Sequence, residues 1–192
     1  MGLHDFFQWL DDTTLSTQLL ESLFVWPLLE AIHTITIAVF VGTIVMVDLR
    51  LLGVLFRSVP VSEMDRKVLP WTVTGFAVMI ITGLLLFYAK PVVYYHSIFF
   101  RVKMLMLGAA IVNILIFHFR VQRDLDKWDT APAPPMSARI SAVLSLTLWI
   151  GIVMTGRMIA YDWFNCDKLA PGDALYFLTS CRALEIASTG GL

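Results

Sequence analysis

Charge is what this chain has least of. Of its 192 residues, 14 are Lys or Arg and 15 are Asp or Glu, so 15% are charged, against roughly 25% in an average soluble domain. That supply cannot wet the surface of a soluble fold, which excludes a cytosolic globular enzyme and a disordered chain. The formal net charge is −1, and without surplus positive charge nothing draws the phosphates of a nucleic acid. Gly42, Gly53, Gly75, Gly83 and Gly108 stand singly in apolar stretches. No phosphate-cradling loop exists, and no hydrolase or kinase motif. Independent enzymatic turnover is therefore not expected. Low complexity is confined to Ala131–Pro135, a short semi-rigid spacer.

Apolar residues are plentiful. They make up 58% of the chain, and mean hydropathy is +0.76. A membrane helix needs about 20 mostly apolar residues. Four segments qualify, at about 27–56, 68–89, 99–121 and 138–162. None alternates with the period of two of a membrane strand. The expected fold is all-α: an integral membrane four-helix bundle over residues 27–163. Residues 1–26 lack a positive n-region and an unbroken apolar core, so they are not read as a signal peptide. Phe6, Phe7, Trp9 and Leu10, then Leu15, Leu19, Leu20 and Leu23, predict amphipathic helix at the interface. Residues 164–192 form a short tail.

Basic residues near short loops set orientation. Arg50, Arg57, Arg66 and Lys67 flank the first loop, and Arg120, Arg123, Lys127 and Arg139 the third. The second has Lys90, Arg101 and Lys103, and the tail Lys168 and Arg182. The first and third loops are thus the cytoplasmic ones, with both termini extracytoplasmic. Cys166 and Cys181 then lie in an oxidising compartment, which favours a disulfide between them over two unrelated thiols.

Ionisable groups inside spans are costly and mark function by default. An outer group comprises Glu30 and His33 on span one, Lys103 on span three, and Arg157 and Tyr161 on span four, with His96 in the hairpin above. Glu30 and His33 share a helix face, as do Arg157 and Tyr161. Arg157 needs a partner, either Glu30 or a bound anion such as a haem propionate. An inner group comprises Asp48 and Arg50 on span one, Trp71 on span two, and Asn113 and His118 on span three. Asp48 follows Glu30 by about five whole turns, so both face one way, whereas Arg50 points about 160° from Asp48 and can snorkel to lipid phosphates. The bland readings are a hydrogen bond between helices for His33, headgroup level for His118, and an interfacial belt for Trp26, Trp71 and Trp163. Thr82-Gly83 before Tyr88 is echoed by Thr155-Gly156 before Tyr161; helix packing explains it better than an internal repeat.

Neutral imidazole in a dry bundle suggests b-type haem. His33 and His118 differ by roughly 20 Å in depth, so they do not share one iron. Either each leaflet holds a haem, with His96 the His partner for His33, or there is one haem, at the outer site where more polar groups converge. Arg157, Lys103 and Tyr161 would then serve the propionates. His4 ranks last among the histidines.

The segments Ile32–Gly53, Val68–Phe87, Phe99–His118 and Leu144–Tyr161 together resemble a widespread uncharacterised family of four-span bacterial inner-membrane proteins, catalogued as a domain of unknown function. The resemblance implies a bundle, a bacterial inner-membrane location and no established activity. It carries over His33, Asp48, Arg50, Trp71, Lys103, Asn113, His118, Arg157 and Tyr161 as pattern positions. More distantly the chain is similar to four-helix membrane cytochromes b and copper-resistance D-type proteins, by architecture and His placement alone.

Three functions are carried forward. The first is electron transfer by a haem b protein, with quinone chemistry left open. The second is proton-coupled or metal-ion transport along Glu30, His33, Asp48 and His118. The third is an accessory subunit of a larger membrane complex. The expected partners are the lipid bilayer and either a second copy of the chain or a membrane redox protein, with no nucleic acid.

Overall fold

The computed structural model describes residues 2–161, 163, 164 and 166–181. Arg182 and the tail beyond it lie outside the described residues. All regular structure among the described residues is helical. Four helical runs are long and apolar enough to cross a membrane: Val25–Leu51, Val61–Ala89, Ile98–Lys127 and Met136–Tyr161. The outward positions of these runs, among them Ile35, Leu84, Leu105 and Ile150, are exposed, a surface suited to lipid.

In chain order the helices are α1 (Leu3–Asp11), α2 (Thr14–Glu21), α3 (Val25–Leu51), α4 (Val61–Ala89), α5 (Pro91–His96), α6 (Ile98–Ile116), α7 (Met136–Met158) and α8 (Ala174–Leu178). A π-helical turn, Phe117–Val121, and a 3₁₀ stretch, Gln122–Lys127, prolong α6.

Two element ends differ from the sequence reading. The first span stops at Leu51, not near 56, because Gly53 takes a left-handed conformation at φ +68. Val54 N donates to Leu49 O and Gly53 N to Arg50 O, the paired bonds of a glycine-terminated helix end. A Cβ at Gly53 would also meet Pro132 O at 3.0 Å. The second helix starts at Val61, seven residues earlier than 68. Its first turn is capped from a remote loop: Ser62 N and Ser62 Oγ donate to the Asp129 carboxylate at 2.7 and 2.6 Å. No sequence-local cap signals this, because the capping residue lies 67 positions away.

The chain forms two compact units. One comprises residues 30–83 and 105–152, the other residues 1–29, 84–104 and 153–192. In the first, Phe40, Ala110, Trp149 and Ile152 form a buried core. The Phe40 ring meets Trp149 edge-on at 4.9 Å, and Gly75 admits Phe40 to close approach. A second cluster gathers Leu51, Val61, Val121, Trp128, Ala138 and Ala142. In the other unit α1 packs on α5, with Phe7 against Tyr95 (4.9 Å) and Phe87 (5.8 Å). Ser16 of α2 is buried and donates to Tyr88 O at 3.0 Å, satisfying a carbonyl at the C-terminus of α4.

Candidate functional site

Thr82, on α4, orients His33, which α3 carries half-buried. The Thr82 hydroxyl donates to Val78 O at 2.7 Å, so its oxygen accepts from His33 Nδ1–H at 2.8 Å. In that tautomer Nε2 is the ring's acceptor nitrogen. Gly83 lies beside the ring: a Cβ there would sit 3.4 Å from His33 Cε1. The Thr-Gly pair that reads as packing glue is here also the seat of a histidine.

Asp48, Arg50 and Asn113 of the same unit are buried. The Ser145 side chain lies against the Asp48 carboxyl, and Asp48 Oδ2 is buried with no hydrogen-bond partner among the described residues. Arg50 does not snorkel. It is fully buried and donates from Nε to Val59 O at 2.7 Å, and from Nη2 to Ala131 O at 3.2 Å and Asp129 O at 3.3 Å. It ties together the loops that follow α3 and precede α7, which is where its charge is spent. Asn113 and Ser141 exchange hydrogen bonds between α6 and α7: Asn113 Nδ2 donates to Ser141 O (3.1 Å), and Ser141 Oγ to Asn113 Oδ1 (3.0 Å). Thr72 and Thr43 join α4 to α3 through their hydroxyls at 2.9 Å.

Two inner residues are not where the sequence suggested. Trp71, expected as buried support, is 67% exposed. His118 is exposed on the π-helical turn, with Nδ1 at 2.8 Å from Gln122 Oε1. An extra residue in that turn rotates the side chains after Ile116 off the straight-helix register, which periodicity does not foresee.

In the other unit, Lys103 is half-buried, and its Nζ lies 3.3 Å from where a Gly156 Cβ would stand. The Arg157 guanidinium lies over the Tyr161 ring at 5.6 Å; Glu30, in the first unit, is exposed. His96 is buried and donates Nδ1–H to Thr179 O at 2.9 Å. Burial pushes its imidazole below the ordinary histidine value; the Thr179 bond opposes this, while His4 and Arg101 push it further down. The histidine beside it is His4, with ring centroids 5.6 Å apart, the one that ranked last in sequence. Cys166 and Cys181 form a disulfide. Arg101, which the sequence places at the mouth of span three among the second-loop charges, clamps the tail: Nη2 donates to Tyr95 O (2.9 Å) and Ser180 Oγ (3.1 Å), and Nη1 to Leu178 O.

The structure thus gives an oriented imidazole and a buried acid in one unit, and cations with a histidine pair in the other. No three His, Cys, Asp or Glu side chains converge among the described residues. No curated protein and no solved structure matches the chain. A family model does match, over residues 6–162, and the chain belongs to that family, described as "Family of unknown function (DUF6644)".

Proposed function

We propose that this protein is a b-type haem protein of the bacterial inner membrane that transfers electrons, with His33 as the residue that would hold the iron. The supporting observation is the Val78–Thr82–His33 chain of hydrogen bonds. A ligating histidine commonly donates its other ring N–H to an oxygen, which fixes the tautomer and ring orientation. His33 has that arrangement with Nδ1 as the donor, leaving the Nε2 lone pair as the ligand. A bound haem would supply one-electron redox chemistry. What the chain supplies is an imidazole oriented by Thr82. His118, exposed and turned to Gln122, is no second ligand in this reading, which therefore holds one haem. The disulfide supports an oxidising location for the tail, and hence termini outside the cytoplasm. The test is the absorption spectrum of protein purified from haem-sufficient cells. A Soret band that shifts on dithionite reduction is expected, lost in His33→Ala and altered in Thr82→Val. A colourless wild-type preparation overturns the reading.

A second reading, proton-coupled transport, is favoured by Asp48. It is a buried acid within a span, 5% exposed, and Arg50 is committed to backbone carbonyls. Buried acids in spans commonly relay protons. Proton flux into proteoliposomes that Asp48→Asn abolishes is the expected result; equal flux in the variant overturns it.

A further inference from the structure

We propose that His4 and His96 together bind a transition-metal ion of the zinc class, a site separate from the one assigned to His33. The pair joins α1 to α5 and lies wholly within the unit that contains both helices. Nε2 of each ring is buried with no hydrogen-bond partner among the described residues. Buried polar atoms nearly always have a partner, and an orphaned pair points to a water or an ion. His96 is only 7% exposed. Because Thr179 O is purely an acceptor, the His96 Nδ1 must carry the proton, and its Nε2 therefore carries the lone pair. An imidazole anchored through Nδ1–H to a carbonyl is the usual outer-shell arrangement of a metal-ligating histidine.

The spacing also fits. With metal–nitrogen bonds of about 2.0–2.1 Å, two imidazoles at the tetrahedral angle on one ion hold their centroids about 5 Å apart; here they are 5.6 Å apart. Water completes the coordination, because no third His, Cys, Asp or Glu joins the pair among the described residues, and both cysteines are held in the disulfide. A bound ion would staple the N-terminal helix to α5. Through the His96–Thr179 bond it would also bear on the segment that Arg101 and the disulfide anchor.

The experiment uses untagged full-length protein in detergent, loaded with Zn(II) alone at neutral pH, desalted and assayed for metal per chain, with a titration for affinity. One zinc per chain is expected. His4→Ala, on a short helix with no fully buried residue, should weaken binding at least as much as losing an outer-shell partner does, by about tenfold or more. His96→Gln, which can still donate to Thr179 O, should do the same, and comparison of the two separates ligand loss from misfolding. The double variant His33→Ala/His118→Ala should keep the zinc, which separates this site from the haem proposal. No zinc on the wild type, or zinc that His4→Ala leaves in place at unchanged affinity, overturns the proposal and leaves a bridging water as the occupant.

Discussion

Each of the two compact units carries a Thr-Gly pair, and each pair seats an ionisable side chain, but by different means. In the unit of residues 30–83 and 105–152, Thr82-Gly83 faces His33, and the threonine hydroxyl fixes the ring by a hydrogen bond that is itself anchored to Val78 O. In the unit of residues 1–29, 84–104 and 153–192, Gly156 faces the flexible end of Lys103 and gives it room. The contrast extends to the rest of each unit. The first is held by side chains that meet helix to helix: Phe40 with Trp149, Asn113 with Ser141, Thr43 with Thr72. The second is held by bonds that tie short elements and span ends together: Thr13 with Tyr88, Ser16 with Tyr88 O, Arg101 with Ser180, Cys166 with Cys181. Within spans, packing fixes a few polar groups rigidly. At the span ends, cross-links and long cations gather short elements.

The largest expected effect tests whether rigidity in the first unit extends to its loops. Arg50→Met removes a charged donor from the carbonyls of Val59, Asp129 and Ala131. Asp129 O keeps Val61 N as a donor, so two carbonyls, Val59 O and Ala131 O, lose their donor, at about 1–3 kcal/mol each or about 2–6 kcal/mol in all. Thermal unfolding in detergent should show it, with Arg50→Lys intermediate because one ammonium cannot span three carbonyls. No loss in Arg50→Met would mean that the loops do not depend on the clamp.

Next comes the cross-link of the other unit. The two cysteines are 15 positions apart, and closing a loop of that size contributes about 3 kcal/mol in the chain-entropy model. Cys166→Ser/Cys181→Ser should free residues 166–181 to proteolysis while the helices of the first unit keep their hydrogen-exchange protection. Exchange rising equally in both units would show that they do not behave differently.

A third comparison uses one substitution in both. Gly75→Ala places a Cβ 3.1 Å from Phe40 Cβ and 3.4 Å from its Cα, atoms that cannot move without shifting a helix, so a cost of about 1–3 kcal/mol follows. Gly156→Ala meets only the end of Lys103, which can swing aside, and alanine is favoured over glycine in a helix by about 1 kcal/mol. Near-neutral stability is expected there. Equal losses at the two glycines would erase the distinction.

The same contrast explains what the sequence made legible. The four spans follow from long apolar runs, and Asp48 and Asn113 break those runs in a way that points inward. The His4–His96 pair is invisible to periodicity because the partners are 92 residues apart and neither sits in a long helix with a readable face. Arg101 read only as a charge at the mouth of span three because its acceptors lie on a tail with no pattern of its own. The face of His118 is illegible for a related reason, whereas exposed Trp71 on α4 agrees with its interfacial reading. Span membership was legible, but which face each presents depends on helix register, and a π-helical turn changes that register after Ile116.

The smallest effect concerns the cap on α4, and it has a sign that can be checked by titration. The Ser62 hydroxyl, and then the Ser62 amide, hold the Asp129 carboxyl below the ordinary aspartate range, with Arg50 adding a minor attraction. Asp129 lies in the loop between Lys127 and Met136, outside the spans. Its folded value is depressed, so the folded state favours the carboxylate more than the unfolded chain does. The stabilisation is therefore fully present above the unfolded aspartate value of about 4 and is lost as pH falls through the folded value. Losing a helix cap costs about 1 kcal/mol, so Asp129→Ala should lower stability by about that much at pH 7. Asp129→Asn keeps a side-chain acceptor for the Ser62 amide and should lose less, and neither variant should show the wild type's decline at this site as pH falls below about 4. Hydrogen exchange of the first turn of α4, followed across that range, reads the effect directly. Unchanged protection of Ser62 in Asp129→Ala would mean that the helix start is held by Val61 N on Asp129 O, a backbone bond of 3.2 Å, and not by the carboxylate.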